Sequence, residues 1–151
     1  MLEWRDAMAL DNGGLDRDHQ EEIALIRRFL VLPAGEEGRP LASAVLEELR
    51  DHSRRHFLRE EKVQAAIGYP HLAEHRAQHR RLCVLLDEIM EQVQAGESAF
   101  SFGYVKQKAD QLLPFWFLDH FAKADLRMKL HIAKAQLSPR NGQGQGRDAV
   151  R

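Results

Sequence analysis

Eight histidines stand in this chain of 151 residues, and their spacing is the first chemical signal. His56 and Glu60 are four apart, as are His75 and His79; His120 and Asp125 are five apart, and His19 stands by itself. Side chains four apart stack on one helix face, so each pair can aim at one point. Alone, each is ordinary: a single inward histidine is usually a hydrogen-bonded core residue, and HxxxE and HxxxH recur on many helices. Jointly they differ. Burying five imidazoles and two carboxylates without partners would cost about 1–3 kcal/mol each, against a total stability of about 5–15 kcal/mol. A metal centre removes that cost. Seven donors exceed one tetrahedral zinc site and suit two metals sharing carboxylate bridges. No thiolate joins the set, since Cys83 lies four residues beyond His79. Donors of nitrogen and oxygen alone suit iron, zinc, copper or nickel, and the residue types do not choose among them.

Four apolar-periodic segments carry these residues. The first begins near Asp16 or Asp18, either of which could cap it, with His19, Ile23, Ile26 and Leu30 on one face. Pro33 to Pro40 makes a loop. The second segment runs from about Leu41 to Ile67, with Val45, Leu49, His52, His56, Glu60 and Val63 inward, and Gly68-Tyr-Pro70 stops it. The third runs from about His71 to Ala95, with Gly96 as its C-terminal cap. The fourth starts after Ser98–Ser101 and runs to about Gln136, with Val105, Ala109, Leu112, Trp116 and His120 on its stripe. No segment alternates with period two. The expectation is all-α: an up-down-up-down antiparallel four-helix bundle with a metal centre in its core. Residues 1–137 form the domain, and 138–151, with Pro139 and three glycines, form a flexible C-terminal tail.

Composition bounds the partners. Lys+Arg is 22 and Asp+Glu is 23, a net charge of −1 that lacks the basic excess of a nucleic-acid binder. No run approaches the roughly 18 apolar residues of a membrane span, and the N-terminus does not resemble a signal peptide. One cysteine fits a reducing compartment. The expectation is a cytoplasmic monomer. Cys83 reads as a small core residue, and the basic clusters Arg54, Arg55, Arg59, Lys62 and Arg76, Arg80, Arg81 read as solvated faces.

The ordered set Trp4, Leu-Asp-Arg-Asp-His19-Gln, His56-Phe-Leu-Arg-Glu60-Glu61, Gly68-Tyr-Pro70, His75-x-x-x-His79 and Trp116-x-x-x-His120-x-x-x-x-Asp125 resembles the hemerythrin family, most closely its single-domain bacterial members, the bacteriohemerythrins. The resemblance covers about residues 4–130. It implies a non-haem di-iron centre, two iron ions per chain, that binds O2 reversibly and is not an enzyme. By motif position, His75, His79 and His120 would hold one iron and His19 and His56 the other, which keeps an open position. Glu60 and Asp125 would bridge them. Phe57, Trp116, Phe117 and Phe121 flank the ligands and would wall an apolar O2 pocket. An oxidase or a reductase would be the protein partner. The rivals are a di-iron enzyme acting on peroxide or nitric oxide, a sensor, an iron store, and a bundle stabilised by zinc.

Three features test the reading. Five residues span about 140° past one full turn of an ideal helix, so His120 and Asp125 meet one centre only across a π-type bulge or distorted turn. Pro114 should kink or restart the fourth helix. His52 and His71 each precede a candidate ligand by four and are expected beside the site or at the surface rather than on a metal.

Overall fold

The computed structural model describes residues 2–95 and 100–137. Gly96, Ser98 and the segment 138–151 lie outside the described residues, and the expectations placed on them with it. Four long helices form an up-down-up-down antiparallel bundle: α1 (Gly14–Leu30), α2 (Arg39–Ala66), α3 (Leu72–Gln94) and α4 (Phe102–His120). A π-helical turn (Phe121–Asp125), a 3-10 turn (Leu126–Met128) and a short α5 (Lys129–Leu137) extend the fourth arm. The described residues include no strand.

Each boundary has a local cause. Neither Asp16 nor Asp18 caps α1. Asp11 does, its carboxylate accepting from the backbone N–H groups of Gly13, Leu15 and Asp16. Asp16 instead accepts from Leu10 and Asn12 and ties down the segment before the helix. Pro40 sits in the first turn of α2, where its missing N–H costs nothing. Gly38 must be glycine, because a Cβ there would lie 2.2 Å from the Pro33 carbonyl oxygen. At the far end of α2, Gly68 takes a φ of +66°, Tyr69 N–H bonds to the Gln64 carbonyl at 2.9 Å and Gly68 N–H to that of Ala65. This is a Schellman C-cap. It reverses the chain and buries Tyr69, whose ring meets His75 edge-on. Ser101 caps α4 by accepting from Tyr104 N–H.

The fourth arm departs from the expected single helix to about Gln136. It widens after His120 and tightens after Leu126, so the π turn comes between His120 and Asp125 as their spacing requires. Pro114 does not restart the helix: α4 is continuous across it, with Leu113, Trp116 and Phe117 buried on its inner side. The packing of these residues outweighs the one backbone hydrogen bond that proline removes.

The apolar core fills the end of the bundle where α1 finishes and α2 begins. Phe29, Ile26, Leu46, Leu49, Phe102 and Leu113 are fully buried there. Lys106, also buried, donates to the Leu30 carbonyl and to Asp110, and pins α4 to the end of α1. Cys83 is partly buried against the core. Toward the other end a layer of buried polar residues interrupts this apolar packing, which Leu15, Tyr69 and Met128 continue.

Candidate metal centre

All seven expected residues converge in that polar layer. His19 comes from α1, His56 and Glu60 from α2, His75 and His79 from α3, His120 from the end of α4 and Asp125 from the π turn. Glu60 is wholly buried, and only His120 falls short of full burial. Two groups have ligand atoms within 4.8 Å of one another: Glu60, His75, His79, His120 and Asp125, and His19, His56 and Glu60.

The two carboxylates divide the histidines into two sets. Glu60 Oε1 lies 2.8 Å from His75 Nε2 and 3.0 Å from His79 Nε2. Its other oxygen, Oε2, lies 3.3 Å from His56 Nε2 and 3.6 Å from His19 Nε2. Asp125 Oδ1 faces His75 Nε2 at 3.0 Å and His120 Nε2 at 3.1 Å, while Oδ2 faces His19 Nε2 at 3.2 Å. Taken together, Glu60 Oε1 and Asp125 Oδ1 face His75, His79 and His120, while Glu60 Oε2 and Asp125 Oδ2 face His19 and His56. The π turn makes this possible by carrying Asp125 around the helix to the side of His120.

Two carboxylates that the spacing analysis did not single out hold the rings from outside. His56 Nδ1–H donates to Asp18 at 3.0 Å and His79 Nδ1–H to Glu61 at 2.7 Å. Arg59 grips Asp18 with two nitrogens and Arg76 grips Glu61. Two arginines of the expected solvated faces thus brace the site. A carboxylate on the outer nitrogen fixes the tautomer and turns Nε2 inward, the usual support of a metal-bound imidazole. The signal was adjacency: Asp18 precedes His19 and Glu61 follows Glu60. His52 is buried with Nε2 2.9 Å from the Asp18 carbonyl oxygen and its ring parallel to His56, so it supports the site from beside it. His71 is 43% exposed at its side chain and stays outside.

The donor set fits a cation. His19 Nδ1 and Nε2, Glu60 Oε2, His120 Nε2 and Asp125 Oδ1 are buried without a hydrogen-bond partner, because several short contacts are badly directed for one. A native interior satisfies such atoms, and inward lone pairs on both imidazole and carboxylate are what a cation satisfies. The electrostatics agree. Burial alone would raise the Glu60 carboxyl, but four facing imidazoles hold it well below the usual range. Burial and the Glu60 charge also oppose ionisation of Asp125, and His120 and His19 still bring it below its ordinary value. Burial disfavours charge on His19, yet Asp125 and Glu60 lift it to about 9; the same competition lifts His75 to about 9. The layer calls for positive charge, from protons or from metal.

A cavity of about 10 Å³ touches this layer, at the lower limit for one water-sized guest. Phe57, Leu82, Trp116, Phe117, Glu22, His120 and Asp125 line it. Three of the four expected aromatics are there. Phe121 is not among them; it stacks on Phe117 and meets the His19 ring edge-on at 5.0 Å. Phe57 lies flat on His79 at 4.0 Å. Leu82 and Trp116, joined by a 2.9 Å hydrogen bond from indole N–H to the Leu82 carbonyl, separate the cavity from an open apolar groove between α3 and α4.

An antiparallel four-helix bundle with a buried, thiolate-free histidine and carboxylate cluster defines a class of non-haem metal-binding helical proteins. The family model for the hemerythrin HHE cation-binding domain matches residues 12–129, and the chain belongs to the hemerythrin family. It is 26% identical over 121 residues to the bacteriohemerythrin of Campylobacter jejuni (strain 81-176), covering 80% of this chain and 87% of that protein. It is 24% identical over 156 residues to the bacteriohemerythrin of Stenotrophomonas maltophilia (strain R551-3), covering 100% and 97%. The bacteriohemerythrin of Pseudomonas aeruginosa (strain LESB58) is 27% identical over 124 residues, 82% of this chain and 76% of that protein. No helix among the described residues is long and apolar enough to cross a membrane.

Proposed function

We propose that the chain holds two iron ions and binds O2 reversibly, as a carrier or store rather than an enzyme. The observation that carries the reading is the division of both carboxylates between three imidazoles on one side and two on the other. In this reading His75, His79 and His120 would hold one iron, His19 and His56 the second, and Glu60 and Asp125 would be shared between them. The chemistry the irons supply when bound is the reversible transfer of two electrons to O2. The chain's own residues do the rest. The pair-bearing side has one histidine fewer and so offers the position where a small ligand enters. Phe57 and Phe117, whose rings lie against His56 and His19, keep water away from it, and Phe121 backs the His19 ring. Asp18 and Glu61 hold two imidazoles in register. Five neutral imidazoles with two bridging carboxylates leave the centre less anionic than a carboxylate-rich oxidase site, which favours holding O2 over activating it. An oxidase that accepts O2, or a reductase that keeps the irons ferrous, is the matching partner.

The test is iron content together with the visible spectrum of the anaerobically reduced protein before and after air. Two irons per chain, with absorption bands that appear with O2 and fade under vacuum, are expected. Two irons with irreversible oxidation would replace the carrier by a redox enzyme acting on peroxide or nitric oxide. Zinc, or little metal, would leave a structural bundle.

A further inference from the structure

Glu22 has no place in the proposed ligand set, yet it is only 3% exposed. It follows His19 by three residues on α1, and the buried Ser53 precedes His56 by three on α2. The Ser53 hydroxyl donates to Glu22 Oε2 at 2.7 Å and fixes the carboxylate between the two helices. The pair thus lies one turn from each imidazole on the side with fewer donors. Glu22 also lines the small cavity, where its neighbours are Phe57, Leu82, Trp116, Phe117, His120 and Asp125. No lysine or arginine is among them. The Asp125 oxygens are turned to histidines. A carboxylate has about four lone-pair sites, and one hydroxyl leaves most of them free. Burying such a group where an apolar side chain would serve is costly. The cavity therefore has one wall that accepts hydrogen bonds and carries negative charge, where aromatic motif residues alone promised an apolar one.

We propose that Glu22, fixed by Ser53, is the specificity-determining residue of this cavity: it favours small neutral ligands that donate a hydrogen bond, of the hydrogen peroxide class, and disfavours small anions. The inference rests on the metal-centre reading above. A guest in the cavity is within reach of the free lone pairs, and a protic one gains a hydrogen bond to a charged acceptor, among the strongest available to it. An anion meets like charge in a poorly screened interior.

Two substitutions separate charge from hydrogen bonding. Glu22→Gln keeps an acceptor and removes the charge; Glu22→Leu removes both. In the iron-loaded, oxidised protein, azide is titrated by its visible absorption and its infrared stretch is recorded. Both variants are expected to bind azide at least tenfold more tightly than the unmodified chain, with a shifted stretch. In the reduced protein, hydrogen peroxide takes one electron from each of two ferrous ions and its O–O bond splits to give two hydroxides. That rate is expected to fall at least tenfold in Glu22→Leu and to stay within threefold in Glu22→Gln. Helical circular dichroism checks the fold, and the isosteric Glu22→Gln decides by azide alone if Glu22→Leu does not fold. Iron-loaded variants with unchanged azide affinity overturn the inference while leaving the centre intact. A chain that takes up no metal overturns the metal-centre reading and this inference with it.

Discussion

The two ends of this bundle are held together by different physics. At one end, Phe29, Leu46, Leu49, Phe102 and Leu113 fill the core with apolar surface. Each such side chain contributes about 1.5–3 kcal/mol by leaving water, whatever the pH or the ions present. At the other end the same helices bury His19, His56, Glu60, His75, His79 and Asp125. That layer has negative oxygens and inward-turned nitrogens, and its stability depends on what positive charge sits between them. One sequence periodicity builds both ends. The second differs because its contacts depend on positive charge, from protons or from metal.

The largest effect that would break this contrast is metal removal. A cation that binds only the folded chain adds about 4 kcal/mol when present at a thousand times its dissociation constant. For a domain of this size that is a melting shift of roughly 10 °C. The metal-free protein is expected to melt lower by this order. Leu46→Ala supplies the control at the apolar end: it should cost about 2–5 kcal/mol with and without metal and leave metal content unchanged. Calorimetry of the four samples decides. Equal melting of loaded and stripped protein would mean that the polar layer is held like the apolar one.

A second, smaller effect appears with pH. In the metal-free chain His19 and His75 are raised to about 9 from an ordinary value of 6.5. A raised histidine binds its proton more tightly when folded than when unfolded. The resulting stability is fully present below about pH 6.5 and is lost as the pH rises through about 9. The stripped protein should therefore lose melting temperature between these limits. Metal uptake must displace those protons, so binding should release acid and strengthen with rising pH. A flat melting profile for the stripped protein from pH 6 to 9.5 would remove protons as the substitute for metal.

Much of both ends was legible in the sequence, for different reasons. Apolar residues at steps of three and four marked the four helices, since a helix face is set by spacing alone. The seven polar intrusions were legible because burying them uncompensated would be costly, and the gap of five between His120 and Asp125 required the π turn found there. Residues that act through three-dimensional neighbours were not legible. Asp18 read as a helix cap because it stands at the start of a periodic segment, whereas the cap is Asp11 and Asp18 reaches across to α2. Glu22 sits among Gln20, Glu21 and Ile23, and nothing in that spacing singles it out; only the packing of α1 on α2 turns it toward Ser53. Pro114 read as a point where the helix kinks or restarts, and it does not restart there, because a local propensity does not register packing on both sides of a residue.

The smallest effect sharpens the contrast most, because it moves the metal and hardly moves the fold. Asp18 does not face the cluster. It holds the outer nitrogen of His56 and is itself held by two nitrogens of Arg59. Burial opposes its charge, but His56 and then Arg59 keep its carboxyl well below the ordinary range, so it is fully ionised at neutral pH. Asp18→Asn keeps the shape and removes the charge that orients the ring. The expected loss in metal affinity is about 10–100-fold, typical of a carboxylate behind a metal-bound histidine. The metal-free chain should lose only about 1.5–3 kcal/mol, the worth of one hydrogen bond to a charged group. Competition with a coloured chelator measures the first quantity and urea unfolding the second. Unchanged affinity would show that His56 is positioned by packing alone, as a residue of the apolar end would be. A stability loss equal in loaded and stripped protein, with no change in affinity, would make Asp18 a structural tie between α1 and α2.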